Sequence, residues 1–355
     1  MKNERTIPRR CRNSTRRPAT SATSQYSEPL DHALVLVDTI CRLAGSDTFI
    51  GPTGRMQQAI LDRDTPYLFE HLVGSFSLQG ISDRAALTYM ENHDRLTWRD
   101  LQKATSRIPA CSKLRGYWTY CGCGYRKAAR ACAEPETLEK CPVPRPALRN
   151  GRLNEMAHSL FFFIRDIADN NLVDWIDQSL AQANVGSGQN RLNRMRRVLI
   201  DPLKNVYGVS DKVLNMTLAD TLLAAPASKP LWKETGASMI AIDTLVCNFL
   251  HRSGIMREMG SKHVYGSACY GPDGCADVIR KLARQIDAKQ FNPNYPRNFP
   301  RFVQHAVWRW CAQQELNICN GNNIDDRYRC ENKSCPLYHS CDRVALRDES
   351  RTDRS

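Results

Sequence analysis

Apolar residues recur at intervals of three and four through most of this chain. In PYLFEHLVGSFSLQG, residues 66–80, Leu68, Phe69, Leu72, Val73 and Phe76 share one side of a helix, and Pro66 suits its first turn. ISDRAALTYMENH then offers Ser82 as the N-cap of a second amphipathic helix. Long helical periodicity returns in residues 154–180, NEMAHSLFFFIRDIADNNLVDWIDQSL, and a soft break at ANVGSGQN, residues 183–190, follows. Beyond it DKVLNMTLADTLLAA, TLVCNFLHRSG, DVIRKLARQIDA and FPRFVQHAVWRWCAQQ are each periodic and each bounded by Gly, Pro or Asn. Alternating strand-like runs are scarce, so the pattern predicts an all-α fold.

The pattern also divides the chain. Residues 1–28 carry seven Lys or Arg against Glu4 and Glu28, with many Ser and Thr and no apolar run, which predicts a disordered basic N-terminal arm. A transit peptide has the same bias, so an organelle address stays open. Residues 29–318 form the expected helical body, with a cysteine- and proline-rich insert at 110–150. A four-cysteine loop at 319–341 and a charged, disordered tail at 342–355 complete the expected organisation. No stretch has the apolar length of a membrane helix. P-loop, dinucleotide-binding glycine, HExxH and GxSxG motifs are all missing, which removes several common enzyme classes.

Charge narrows the partner. The 355 residues carry a formal net charge of +13, which favours an anionic partner such as nucleic acid or a membrane surface, although a basic face is also compatible with simple solvation. The 15 cysteines, in a chain with no export signal, point to a reducing compartment where clustered thiols hold metal or pack as apolar residues.

Four cysteines stand out: Cys319, then ten residues, Cys330, four, Cys335, five, Cys341. Four thiolates from a compact loop suit either a tetrahedral zinc or an iron–sulfur cluster. The usual CxxC knuckle of a zinc site is missing here, and a larger cluster does not need it.

This end of the chain, VQHAVWRWCAQQELNIC followed by Cys330, Cys335 and Cys341, resembles that of the helix-hairpin-helix (HhH-GPD) DNA glycosylases of the endonuclease III type. The last gap matches that family and the first two are wider. The resemblance implies a [4Fe–4S] cluster held by Cys319, Cys330, Cys335 and Cys341, and a two-lobed helical fold. One lobe would hold the hairpin, and the other the N-terminal segment, the terminal helices and the cysteine loop.

Three further segments are similar to the family in the expected order. NVYGVSDKVLNMTLADTLL resembles its hairpin. Gly208, Val209 and Ser210 form a turn whose backbone N–H groups, beside a helix start, suit a DNA phosphate. Ser210 replaces a glycine and Tyr207 a common proline. Lys212 falls on the nucleophile of the bifunctional members, whose amine attacks C1′ and forms a Schiff base. MIAIDTLVCNFLHRSGI places Asp243 on the family's catalytic aspartate, where a carboxylate stabilises charge on the sugar; Asp before a helix is also an ordinary N-cap. LFEHLVGSFSLQGISDRAALTYM places Gln79 on a glutamine that fills the space left by a flipped nucleotide. Residues 224–238, between Lys212 and Asp243, read as an insertion that loops out.

The resemblance implies a base-excision DNA glycosylase, with AP-lyase activity in the bifunctional case, acting on duplex DNA with a damaged or abasic site. A monomer with no membrane association is expected. The alternative is a non-catalytic iron–sulfur nucleic-acid-binding protein of the same fold. Cys111, Cys121, Cys123, Cys132 and Cys141 in the insert leave zinc binding and plain structural use both open.

Overall fold

The structure, a computed structural model, describes residues 29–45, 54–77, 88, 97–106, 115–120, 152–321 and 323–347. Among these the regular elements are helical and no strand occurs. In chain order the helices are α1 (Pro29–Ala44), α2 (Gly54–Leu61), α3 (Thr65–Ser77), α4 (Trp98–Thr105), α5 (Arg152–Asp166), α6 (Leu172–Ala183) and α7 (Gly188–Leu203). They continue with α8 (Asp211–Leu223), α9 (Pro230–Ser238), α10 (Thr244–Arg252), the single turn α11 (Ile255–Glu258), α12 (Cys275–Ala283) and α13 (Pro300–Cys311), with 3₁₀ turns at Ser267–Tyr270 and Ala288–Gln290. None is long and apolar enough to cross a membrane.

The chain falls into two compact units. One comprises the described residues within 53–217 and 225–231; the other comprises those within 29–45, 218–224 and 232–347. The second is therefore discontinuous, and α1 folds with the C-terminal helices.

Aromatic rings on helical faces build the core of the first unit. Phe69 of α3 meets Trp98 of α4 edge-on at 5.4 Å between ring centroids, and Trp98 lies 4.5 Å from Phe161 of α5. The periodic stretch 154–180 is two helices rather than one. Asp169 and Asn170 take φ of 49° and 58°, a left-handed conformation that Asp and Asn tolerate, and the Asn171 side chain then caps α6 by accepting from the Asp174 amide at 3.0 Å.

In the second unit α1 packs along α13, and α10 and α12 close around them. Leu36, Ile40, Leu250, Phe302 and Val303 are buried at this junction, each such side chain contributing roughly 1.5–3 kcal/mol on leaving water. Residues 230–238, expected within a looped-out insertion, form helix α9. Trp232 is 1 % exposed, and a Cβ on Gly236 would come within 2.9 Å of Leu222 Cβ and 3.1 Å of the Ala219 carbonyl, so glycine permits the close approach.

The cysteine loop also continues further than its last thiol. Past Cys341 the chain is held by backbone bonds from Asp342 N to Ser253 O (3.3 Å), Val344 N to Arg252 O (2.7 Å) and Leu346 N to Asp326 O (2.7 Å). The stretch 342–347, expected as the start of a disordered tail, is thus docked on the end of α10. The physical reason is that the Asp342 and Val344 amides satisfy carbonyls that α10 leaves open at its C-terminus.

Candidate metal centres

Helix α13 delivers the first of the terminal cysteines. After Cys311 the chain turns back on the helix, with Ile318 N and Cys319 N both donating to Trp310 O at 2.9 and 3.3 Å. Turns then set the others: Cys335 N donates to Asn332 O at 3.1 Å and Cys341 N to Leu337 O at 2.8 Å, while Arg343 Nη1 donates to Cys330 O at 3.4 Å. Cys319, Cys330, Cys335 and Cys341 together line one cavity of about 360 Å³, its open mouth included, with Phe249, Arg252, Trp310 and Arg343 among the other walls.

Three of those wall residues carry buried donors that find no hydrogen-bond partner among the described residues: Arg252 Nε and Nη1, Trp310 Nε1 and Arg343 Nε. Buried donors are normally satisfied, and leaving one unmade costs on the order of 1–3 kcal/mol. An anionic group with sulfur acceptors, held by four thiolates, would satisfy them, so the residues present fit an iron–sulfur cluster.

Arg252 is 2 % exposed and is anchored to Asp326 Oδ1 at 2.5 Å. Cys319 is held down to about 7, first by the neighbouring Cys311 thiol and then, against burial, by the Arg252 charge. Burial pushes Cys341 up to about 11 and raises Cys335.

A second group was not singled out from the sequence. Cys247 on α10, His263 in the following loop, Cys269 in the 3₁₀ turn and Cys275 at the start of α12 converge so that their ligand atoms all lie within 4.8 Å of one another. These four residues could bind a metal ion. The Cys247 and Cys269 sulfurs are 3.8 Å apart, and Cys275 Sγ lies 3.2 Å from His263 Nε2. Crowding splits the thiols: hydrogen bonds from Cys247 and Cys275 hold Cys269 down to about 2, while contacts with Cys247 and Cys269 push Cys275 well up. The sequence signal was weak because the gaps of fifteen, five and five residues contain no CxxC knuckle.

The hairpin residues lie between α7 and α8. Gly208 has φ +72°, where a Cβ is disfavoured. The Ser210 hydroxyl accepts from the Val213 amide at 3.4 Å and so caps α8, the task that stands where the second glycine was expected. Val209 and Ser210 are half-buried, as is Lys212 in the first turn of α8. Asp243 caps α10, accepting from the Val246 amide at 2.9 Å. Lys212 belongs to the first unit and Asp243 to the second. Gln79 and the cysteines at 111, 121, 123, 132 and 141 lie outside the described residues.

Comparison of the chain with protein-family models, with curated proteins and with solved structures finds no significant match, so its own residues carry the functional argument.

Proposed function

We propose that the protein is a DNA base-excision glycosylase of the endonuclease III type, bearing a [4Fe–4S] cluster on Cys319, Cys330, Cys335 and Cys341 and acting on duplex DNA at a damaged or abasic site. The observation that carries the reading is the cavity walled by those four thiols and by Arg252, Trp310 and Arg343, which carry buried donors without partners among the described residues. Further support comes from a glycine-turned helical hairpin, an aspartate at the cap of α10 and a net charge of +13 suited to phosphate. The division of the chain, with α1 joined to the C-terminal helices and the hairpin turn at Gly208 in the other unit, supports the same reading.

In this reading the cluster supplies a rigid, charged knot that shapes the loop. The resemblance carries the roles of the reacting residues. The neutral Lys212 amine bonds to C1′ as the bond from C1′ to the base breaks, its electron pair leaving on the base, which takes up a proton. The nitrogen sheds a proton to solvent and the sugar ring opens, giving a Schiff base; loss of the C2′ proton then expels the 3′ phosphate. The Asp243 carboxylate stabilises positive charge on the sugar.

Ser210 in place of a glycine favours a second reading, a non-catalytic iron–sulfur protein that binds nucleic acid through the same hairpin. Borohydride trapping on a duplex with an abasic site tests the lyase step: an adduct excludes the second reading, and its absence leaves a monofunctional glycosylase or the second reading. The glycosylase-lyase reading predicts a covalent adduct from wild type and none from Lys212→Ala. No adduct from cluster-loaded wild type would refute the lyase step.

A further inference from the structure

We infer that Cys247, His263, Cys269 and Cys275 form a closed tetrahedral zinc site, separate from the terminal cysteine cavity, that pins residues 260–275 to the start of helix α10. The two centres share no residue, and the inference stands whether or not the protein acts on DNA.

The geometry fits the ion. With Zn–S bonds of about 2.3 Å, tetrahedral coordination sets sulfur atoms about 3.8 Å apart, and Zn–N of about 2.0–2.1 Å sets a sulfur–nitrogen edge of about 3.5 Å. The Cys247–Cys269 separation is 3.8 Å and the Cys275–His263 separation 3.2 Å. The sulfurs are far beyond the roughly 2.05 Å of a disulfide. Three thiolates with one imidazole are an established structural zinc set, and a closed site is expected to be buried. Cys269 and Cys275 have no exposure and Cys247 has 2 %.

Cysteine is also a common core residue, and buried thiols need no metal. What argues against plain packing is the imidazole. A core of small apolar side chains gains nothing from His263, whereas a fourth ligand completes a tetrahedron. Cys41, buried in the same core, belongs to no such group.

The chain is also shaped to bring the ligands in. Gly266 takes φ +147°, and a Cβ on Gly274 would fall 2.3 Å from Ala268 O and 2.7 Å from Cys269 O, so only glycine lets the backbone fold this tightly just before Cys275. Beside His263, at 5.1 Å between ring centroids, His251 has a buried Nε2 with no partner among the described residues.

The position of the site gives it a task. Cys247 lies four residues after Asp243, one helical turn on, and the Tyr270 hydroxyl accepts from Ile242 N at 2.8 Å, just before that cap. A metal here ties the loop, the start of α12 and the first turn of α10 into one body, and so fixes the backbone on which Asp243 sits.

The test uses the full chain, loaded with iron so that the terminal cysteines are filled. Zinc is measured by elemental analysis in wild type, Cys269→Ser, His263→Cys and Cys335→Ser. The expected result is loss of one zinc equivalent in Cys269→Ser with iron retained, the reverse in Cys335→Ser, and zinc kept in His263→Cys. Zinc content in Cys269→Ser equal to that of wild type would overturn the assignment. Should Cys269→Ser fail to fold, cobalt(II) substituted into wild type and His263→Cys decides. The site predicts tetrahedral bands in both, with stronger thiolate-to-cobalt absorption in His263→Cys. Identical spectra, or no cobalt uptake by the iron-loaded chain, would also overturn it.

Discussion

Replacing Asp326 with alanine removes the carboxylate paired with a guanidinium almost wholly out of water. Arg252 is 2 % exposed and Asp326 is 23 % exposed, at 2.5 Å. Breaking a fully buried pair costs about 3–5 kcal/mol, whereas an exposed pair contributes about 0–1 kcal/mol. With the arginine buried and the carboxylate partly wet, Asp326→Ala should cost about 2–3 kcal/mol.

Arg252→Met removes the charge but keeps an apolar stem of similar length, so the double variant should recover about 1–2 kcal/mol of the summed loss. Urea unfolding of the iron-loaded proteins under anaerobic conditions, followed by circular dichroism, measures all four. A loss below about 0.5 kcal/mol in Asp326→Ala, or strict additivity in the double variant, would refute the argument that burial makes this pair consequential. Because Arg252 also walls the cysteine cavity, Arg252→Met should shift the reduction potential of the proposed cluster to more negative values.

Four other outcomes are expected. Asp243→Asn should keep the helix cap and the stability but lose strand cleavage, while Asp243→Ala loses both, with a stability cost of about 1 kcal/mol; full cleavage by the asparagine variant would exclude a charge role. Gly208→Ala meets no neighbouring atom within 4 Å but takes φ +72°, so it should cost about 1 kcal/mol from backbone strain alone and weaken duplex binding in a salt titration. His32 donates to the Ser340 carbonyl and to Glu258, which raises it above its usual 6.5. Its stabilisation is therefore full below about pH 6.5 and lost as pH rises through the raised value, so the stability gap between wild type and His32→Asn should shrink on going from about pH 6 to about pH 8. A chelator that takes zinc and leaves iron should speed tryptic cleavage after the exposed Lys262; an unchanged digestion rate would speak against the inferred zinc site.

How much of this was legible depended on whether the signal was local. The helices at Thr65–Ser77, Asp211–Leu223, Thr244–Arg252 and Pro300–Cys311 were readable because their apolar residues form a stripe between clear breakers. Helix α7 goes unmarked beyond the soft break at 183–190, since four arginines interrupt its apolar stripe. Its buried face is only Met195, Arg196, Leu199, Ile200 and Leu203, with an arginine among them.

The end of α5 was hidden because helical periodicity runs straight through Asp169 and Asn170, whose backbone turns left-handed. Residues 230–238 were taken for a looped insertion because the resemblance had no counterpart for them, although Pro230 at a helix start and Trp232 within it were local signs of a packed helix.

The two cysteine groups make the same point. The terminal four could be singled out because they crowd into 23 residues of polar loop. Cys247, His263, Cys269 and Cys275 could not, because tertiary folding brings together ligands from α10, a loop, a 3₁₀ turn and α12. The four buried donors beside the first group that find no partner among the described residues likewise come from residues far apart in sequence.

The most direct measurement is iron and acid-labile sulfide on anaerobically purified protein, wild type against Cys335→Ser. The account predicts a brown wild type with about four of each per chain, and a variant that loses both. A colourless wild type with zinc at the terminal cysteines and no sulfide would contradict it.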